Sequence, residues 1–210
     1  IYSDKSINII LNLTVPKAHC SVDMEAIKHG KHVYAEKPLG ITREEGKKVI
    51  EAAKKKRLRI GSAPDTFLGA GIQTSCRLID KGVIGTPISA EAFMVCPGHE
   101  SWHPSPEFYY EKGGGPMLDM GPYYITVLVS LLGPAKSVTG MTKKGLKERI
   151  ITSQPKYGKK VKVETPTHIT GVIEFVNGAV ATLIMSFDVK GSTLPRIEVH
   201  GTEGSMQVPD

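Results

Sequence analysis

Cysteine is scarce in this 210-residue chain: Cys20, Cys76 and Cys96 are the whole complement. They are odd in number and far apart, which excludes a disulfide framework and leads us to expect a reducing, cytoplasmic setting. Long apolar runs are missing too. The longest lies near Ile125–Leu132, far short of the ~20 residues a membrane helix needs, so no membrane partner is expected. No signal-peptide pattern opens the chain, and its first residue is Ile1 rather than Met; an internal fragment is the simplest reading. Aromatics make up 6% of the residues, with one Trp. The net charge of +6 therefore gathers in clusters without interleaved aromatics. One runs from Lys47 and Lys48 through Lys54, Lys55, Lys56, Arg57 and Arg59; the other lies in a loop-like stretch from Lys143 to Lys160. That pattern reads as solvated surface rather than a nucleic-acid footprint. Internal repeats, low-complexity segments, a phosphate-cradling P-loop and an activated serine or cysteine nucleophile are all absent.

What is present is an ordinary globular composition, 40% hydrophobic and 23% charged. Its first third alternates strand and helix. Ile7–Leu13 is a short β-branched run typical of a strand covered on both faces. Lys17–His29 has helical spacing and stops at Gly30. His32–Ala35 is a second strand. Thr42 and Glu45 form a capping box for a helix reaching about Arg57, and Leu58–Gly61 is a third strand. This β-α-β-α-β order predicts a parallel sheet with right-handed crossovers. With three strands where a doubly wound sheet usually has about six, the first half of the sheet is expected to be absent.

From Thr66 the pattern changes. Thr66–Lys81 reads as a helix and Thr86–Val95 as a strand. Pro97–Gly115 is a long loop rich in Pro, Gly and aromatics, a length that often signals function. Pro122 opens a helix that ends at Gly133. Asn177-Gly178 between Thr167–Val176 and Ala179–Val189 is the strongest short hairpin signal, and Arg196–His200 with Ser205–Val208 makes a second. The expected fold class is the carboxy-terminal half of a Rossmann-type parallel sheet, followed by a mostly antiparallel open-sheet α+β domain.

Two segments carry a family likeness. Val33-Tyr34-Ala35-Glu36-Lys37-Pro38-Leu39-Gly40 places Glu-Lys-Pro directly after a sheet strand. Gly113-Gly114-Gly115-Pro116-Met117-Leu118-Asp119-Met120-Gly121-Pro122-Tyr123 sets a glycine run before Asp-x-Gly. Supporting these are Asn12-Leu13-Thr14-Val15-Pro16 with His19, Leu78 to Gly85, and His200 to Gly204. In this order the set resembles the glucose–fructose oxidoreductase / inositol dehydrogenase / MocA family over nearly the whole chain. The resemblance implies a partial dinucleotide-binding domain at 1–64 and a substrate-binding and oligomerisation domain at 65–210. It further implies NAD or NADP as cofactor, a sugar or polyol substrate, and a homo-oligomer, dimer or tetramer, joined through the carboxy-terminal sheet. Two departures stand out. The Gly-rich cofactor fingerprint is not in these residues, and Tyr123 stands where the family has histidine.

Oxidising a secondary alcohol needs a hydride acceptor, a base for the hydroxyl proton and a cation or donor near the developing oxyanion. Lys37 leaves a strand at the end where doubly wound folds bind ligands; it steadies the substrate oxygen or relays the proton, or else it is a surface lysine in a turn. Asn12, Thr14 and Pro16 leave the neighbouring strand. With His19, Glu36, Lys37 and Pro38 they form the cofactor-contacting set that the resemblance implies, against plain turn chemistry. Asp119 either binds the substrate hydroxyl, as in the family, or caps the Pro122 helix. Tyr123 serves as acid or base only if its pKa falls well below ~10; otherwise it is a half-buried aromatic. In the long loop, Trp102 could stack on a sugar face and His103 could move the proton. Cys96, His99 and His103 have metal-like spacing but no fourth ligand, so no metal is expected. The rival reading is a non-catalytic cofactor- or sugar-binding regulator on the same fold, favoured by loss of the histidine.

Overall fold

The opening apolar run becomes strand β1 (Ile9–Asn12), followed by helix α1 (Pro16–Lys28), strand β2 (His32–Ala35), helix α2 (Arg43–Lys55) and strand β3 (Ile60–Ser62). Pro16 starts α1, where its missing N–H costs nothing. Thr42 Oγ1 accepts the Glu45 N–H at 3.2 Å, and the Glu45 carboxylate accepts the Ile41 N–H at 2.8 Å, so the capping box closes one residue further back than its simplest form. The three strands pair in parallel in the order β1-β2-β3. α1 and α2 pack on one another, and Ile10, Ala26, Ile27, Val33, Ala35, Val49 and Ala53 form one buried cluster. Alternation puts Ile9, Leu11 and Tyr34 on the opposite sheet face, where they are exposed. The computed structural model describes residues 1–209, and this first unit spans Ile1–Pro64.

The second unit begins at Asp65. The helix expected over Thr66–Lys81 is split: a 3₁₀ turn at Thr66–Leu68 precedes helix α3 (Ala70–Asp80). Gly69 between them is extended, at φ −61° and ψ 152°. Then come strand β4 (Pro87–Val95), the short helix α4 (Pro116–Asp119) and helix α5 (Gly121–Leu132). Seven further strands follow: β5 (Ala135–Lys143), β6 (Glu148–Ile150), β7 (Lys160–Lys162), β8 (His168–Phe175), β9 (Val180–Ser186), β10 (Ile197–Gly201) and β11 (Ser205–Gln207). Six strands make one sheet in the order β11-β10-β4-β9-β8-β5. All its pairs are antiparallel except β4 with β9. The expected fold class, a parallel sheet followed by a mostly antiparallel open sheet, is the one observed.

Helix α5 lays Tyr124, Val127, Leu128, Leu131 and Leu132 at helical spacing onto the inner sheet face of Ala90, Ala92, Ile173, Phe175, Leu183 and Met185. The outer face carries Met141, Val172 and Val180, all exposed, and every residue of the edge strand β5 is exposed. The Lys143–Lys160 stretch read as loop-like contains β6 and the start of β7, which pair antiparallel. Its charges hid that pairing, because few of its apolar residues, Ile151, Val161 and Val163, turn inward, with Tyr110 and Phe187, to form a satellite core.

Candidate active site

In the first unit the turns after β1 and β2 are tied together by His19. Its Nδ1 lies 2.6 Å from the Pro38 carbonyl oxygen, and its Nε2 lies 2.8 Å from that of Thr14. The ring is fully buried. Asn12, also buried, donates to Asp23 Oδ1 at 2.7 Å and to the His19 carbonyl at 3.2 Å, and accepts from Thr14 N and Oγ1. Burial pushes the Asp23 carboxyl up, against the hydrogen bond from Asn12 and the charge of His19. The side-chain polar atoms of Asn12 and the ring nitrogens of His19 are thus engaged inside the unit, while Thr14 is exposed and Pro16, Glu36 and Lys37 are half-buried. Glu36 accepts the backbone N–H of Lys37 at 3.0 Å. Lys37 therefore leaves the carboxy end of β2 in a turn whose next residue, Pro38, is pinned by its own carbonyl.

In the second unit Asp119 ends α4 rather than capping α5, whose amino end carries no side-chain cap. Its Oδ2 lies 3.4 Å from His99 Nε2, with both side chains largely enclosed. Trp102 donates its indole N–H to His99 Nδ1 at 3.2 Å. Tyr109 and Phe187 close on the same imidazole, at centroid distances of 4.2 and 4.5 Å. Burial, and next the Asp119 charge, push the Tyr109 hydroxyl up to about 12. Trp102 is exposed at 60%. His103 stands on the other side of Trp102. Its Nδ1 accepts the Ser105 N–H at 3.0 Å, and its ring meets Phe108 and Tyr109 edge-on. Tyr123 packs against the main core and lines a cavity of about 180 Å³ with Ile72, Met120, Tyr124 and Val127.

A buried arginine holds this loop in place. Arg149 donates to Glu100 Oε1 at 2.7 Å, to Asp188, and to the carbonyls of Pro97 and Phe187 at 2.8 and 2.7 Å. Tyr110 donates to Glu100 and lies under the guanidinium, 5.1 Å from ring centroid to carbon. Gly98 passes this cluster at φ +104°, and a Cβ there would stand 2.4 Å from the Glu100 carboxylate. The triple glycine has a similar use. A Cβ on Gly114 would meet the Phe108 carbonyl oxygen, and one on Gly115 the Pro166 carbonyl oxygen, so both glycines permit a close approach of backbone to backbone. His99 is the residue that reading the sequence passed over. Its spacing to Cys96 and His103 is metal-like without a fourth ligand, and the fold sends its ring to Asp119.

Residues 72–207 match the model of the GFO/IDH/MocA C-terminal domain, and residues 1–63 match that of the oxidoreductase family with NAD-binding Rossmann fold. The chain belongs to the GFO/IDH/MocA family. Within it, the 1,5-anhydro-D-fructose reductase of Ensifer adhaerens is 27% identical over 98% of this chain and 58% of its own length. The levoglucosan dehydrogenase of Pseudarthrobacter phenanthrenivorans is 25% identical over 98% and 56%. A solved levoglucosan dehydrogenase in complex with NADH and L-sorbose superposes at a TM-score of 0.82 with 25% identity, over 97% of this chain and 54% of that one. An NAD-binding oxidoreductase of Klebsiella pneumoniae, at a TM-score of 0.82 and 23% identity over 97% of this chain and 54% of that one, shows the same fold. The chain spans a little over half the length of these relatives.

Proposed function

We propose that the intact protein is an NAD- or NADP-dependent oxidoreductase that passes hydride between the nicotinamide and a carbinol carbon of a sugar, polyol or related hydroxy compound. The observation that carries this reading is the pinned turn bearing Lys37 at the carboxy end of β2, the end at which doubly wound sheets bind their ligands. The residues fit a nicotinamide end. The turns after two adjacent parallel strands are joined by His19, with Thr14 and Glu36 at their rims. Thr14, Pro16, Glu36, Lys37 and Pro38 would border the cofactor, with Asn12 and His19 shaping the turns from inside. The bound cofactor supplies the hydride acceptor or donor; the chain's own residues bind, orient and handle the proton.

In this reading the Lys37 ammonium steadies the substrate oxygen as charge develops on it. Asp119 accepts the substrate hydroxyl and fixes its direction. Tyr123 at the family's histidine position, or His103, completes the proton path, and Trp102 offers an exposed aromatic face to a sugar ring. The relatives named for 1,5-anhydro-D-fructose and levoglucosan support a carbohydrate substrate. The exposed outer face of the six-stranded sheet, with Met141, Val172 and Val180, supports a homo-oligomer. Three cysteines without a disulfide among the described residues agree with a cytoplasmic setting.

The test is turnover by the full-length protein with NAD(P)H and 1,5-anhydro-D-fructose, and with NAD(P)⁺ and levoglucosan or D-xylose. Lys37→Met should lower kcat by at least about a hundredfold, the scale on which losing one oxyanion donor acts. Wild-type turnover in that variant would remove Lys37 from the chemistry. The second reading, a cofactor- or sugar-binding regulator, is favoured by Tyr123, whose ring packs on the core where the family has histidine. One substrate turned over at an enzymatic rate would end it.

A further inference from the structure

We infer that His99 is a positioning residue for Asp119: its Nε2–H holds the carboxylate in the direction from which it takes the substrate hydroxyl, and Trp102 fixes the imidazole tautomer that allows this. The inference rests on the reading of Asp119 given above and adds a second residue to the same site.

A neutral imidazole carries one N–H, and an indole nitrogen can only donate. The Trp102 N–H points at His99 Nδ1 across 3.2 Å, so Nδ1 accepts and the proton sits on Nε2. That nitrogen is sealed from solvent and makes no hydrogen bond as placed. Asp119 Oδ2 lies 3.4 Å away, beyond the roughly 2.7–2.9 Å of a charge-assisted bond. A buried donor left unmade is costly, and catalytic hydrogen bonds are often long until substrate binds. The ring cannot swing to close the gap, because Tyr109, Phe187 and Trp102 enclose it on three sides. The carboxylate is therefore the partner that adjusts. Arg149 is engaged by Glu100 and Asp188. Trp102 thus has two tasks, an exposed ring for a sugar and an N–H for His99.

Two substitutions separate positioning from packing. His99→Phe keeps a ring in the aromatic enclosure and loses both the hydrogen bond from Trp102 and the contact to Asp119. His99→Gln loses the ring, but its amide can donate to Asp119 and accept from Trp102. Positioning predicts that His99→Phe lowers kcat tenfold to a hundredfold with KM nearly unchanged, the signature of an interaction made in the transition state, while His99→Gln restores most of kcat. Packing predicts the reverse order, and that order would overturn the inference. ¹⁵N imidazole spectra of the protein read the tautomer without turnover. Nε2–H at His99, shifting toward Nδ1–H in Trp102→Phe, is expected; Nδ1–H in the wild type would also overturn it. Asp119→Asn distinguishes the two levels of the argument. If it keeps wild-type kcat, the reading of Asp119 falls and His99 falls with it. If it is inactive while His99→Phe is fully active, only the assignment of His99 falls.

Discussion

Replacing Arg149 with Met removes a guanidinium whose side chain is 3% exposed and leaves its partners in place. Glu100 and Asp188 keep their carboxylates at 16% and 19% exposure, and the Pro97 and Phe187 carbonyls lose their donor. Breaking one side of a buried ion pair costs about 3–5 kcal/mol, because the stranded charge outweighs the lost attraction. For a chain of this length each kcal/mol moves Tm by roughly 2–4 °C, so the second unit should melt roughly 6–20 °C lower. Arg149→Lys should recover only part of this, since one ammonium cannot serve two carboxylates and two carbonyls in a fixed fork. The assay is thermal and urea unfolding followed by far-UV CD and by fluorescence of the single tryptophan, Trp102. Trp102 sits on the loop that Arg149 ties down, so its emission should change at or before the loss of β signal. Arg149→Met unfolding within about 0.5 kcal/mol of wild type, the range of an ordinary surface change, would refute the view that this network holds the His99 loop.

Sugar binding should quench or shift Trp102 emission in a saturable way, and a flat titration with levoglucosan, D-xylose and 1,5-anhydro-D-fructose would take Trp102 out of the substrate site. Met141→Asp on the open sheet face should convert an oligomer to a monomer by sedimentation velocity; a wild type already monomeric at micromolar concentration would remove the sheet as an interface. Burial pushes the Glu107 carboxyl up, but the hydrogen bond from Lys156, a backbone N–H and the charges of Lys156 and Lys159 together outweigh it and hold the group below its usual range. A depressed carboxyl stabilises above its unfolded pKa, so wild type should exceed Glu107→Gln by no more than about 1 kcal/mol at neutral pH, given the pair's exposure. That margin should vanish as pH falls below the ordinary glutamate range of about 4.3; a pH-independent difference in urea midpoints would contradict it. Leu128→Ala, at a fully buried position under the sheet, should cost about 2–5 kcal/mol in the same unfolding assay.

How far the sequence could be read follows from the range over which each signal acts. The elements of the first unit were legible to within about two residues because its cues are local: the Thr42–Glu45 box at a helix start, Gly30 at a helix end. The Asn177-Gly178 hairpin was legible for the same reason, since Gly178 at φ +90° closes a turn few other residues could. Parallel pairing of β4 with β9 could not be read, because it joins segments about ninety residues apart through side chains that look the same in either direction. The β6–β7 pair was hidden by charge: its inward residues are few, and its lysines face water.

The candidate site shows the same division at higher cost. Lys37 and Asp119 could be singled out as candidates because short motifs carry them. His99 was given no role because spacing along a loop says nothing about which way a ring turns once the loop closes. What turns it here is Arg149, fifty residues downstream, which fastens Pro97 and Glu100 on either side of His99. With both flanks held and Gly98 sharing the bend, the imidazole is left facing Phe187, Tyr109 and Asp119. Arg149 and Glu100 lie in stretches that read as loop and Asp188 at the end of a strand, and the available signal was a buried arginine between two acids. Such a residue is rarely tolerated unless it fixes something, and here it fixes the segment that carries the indole and the imidazole to the carboxylate.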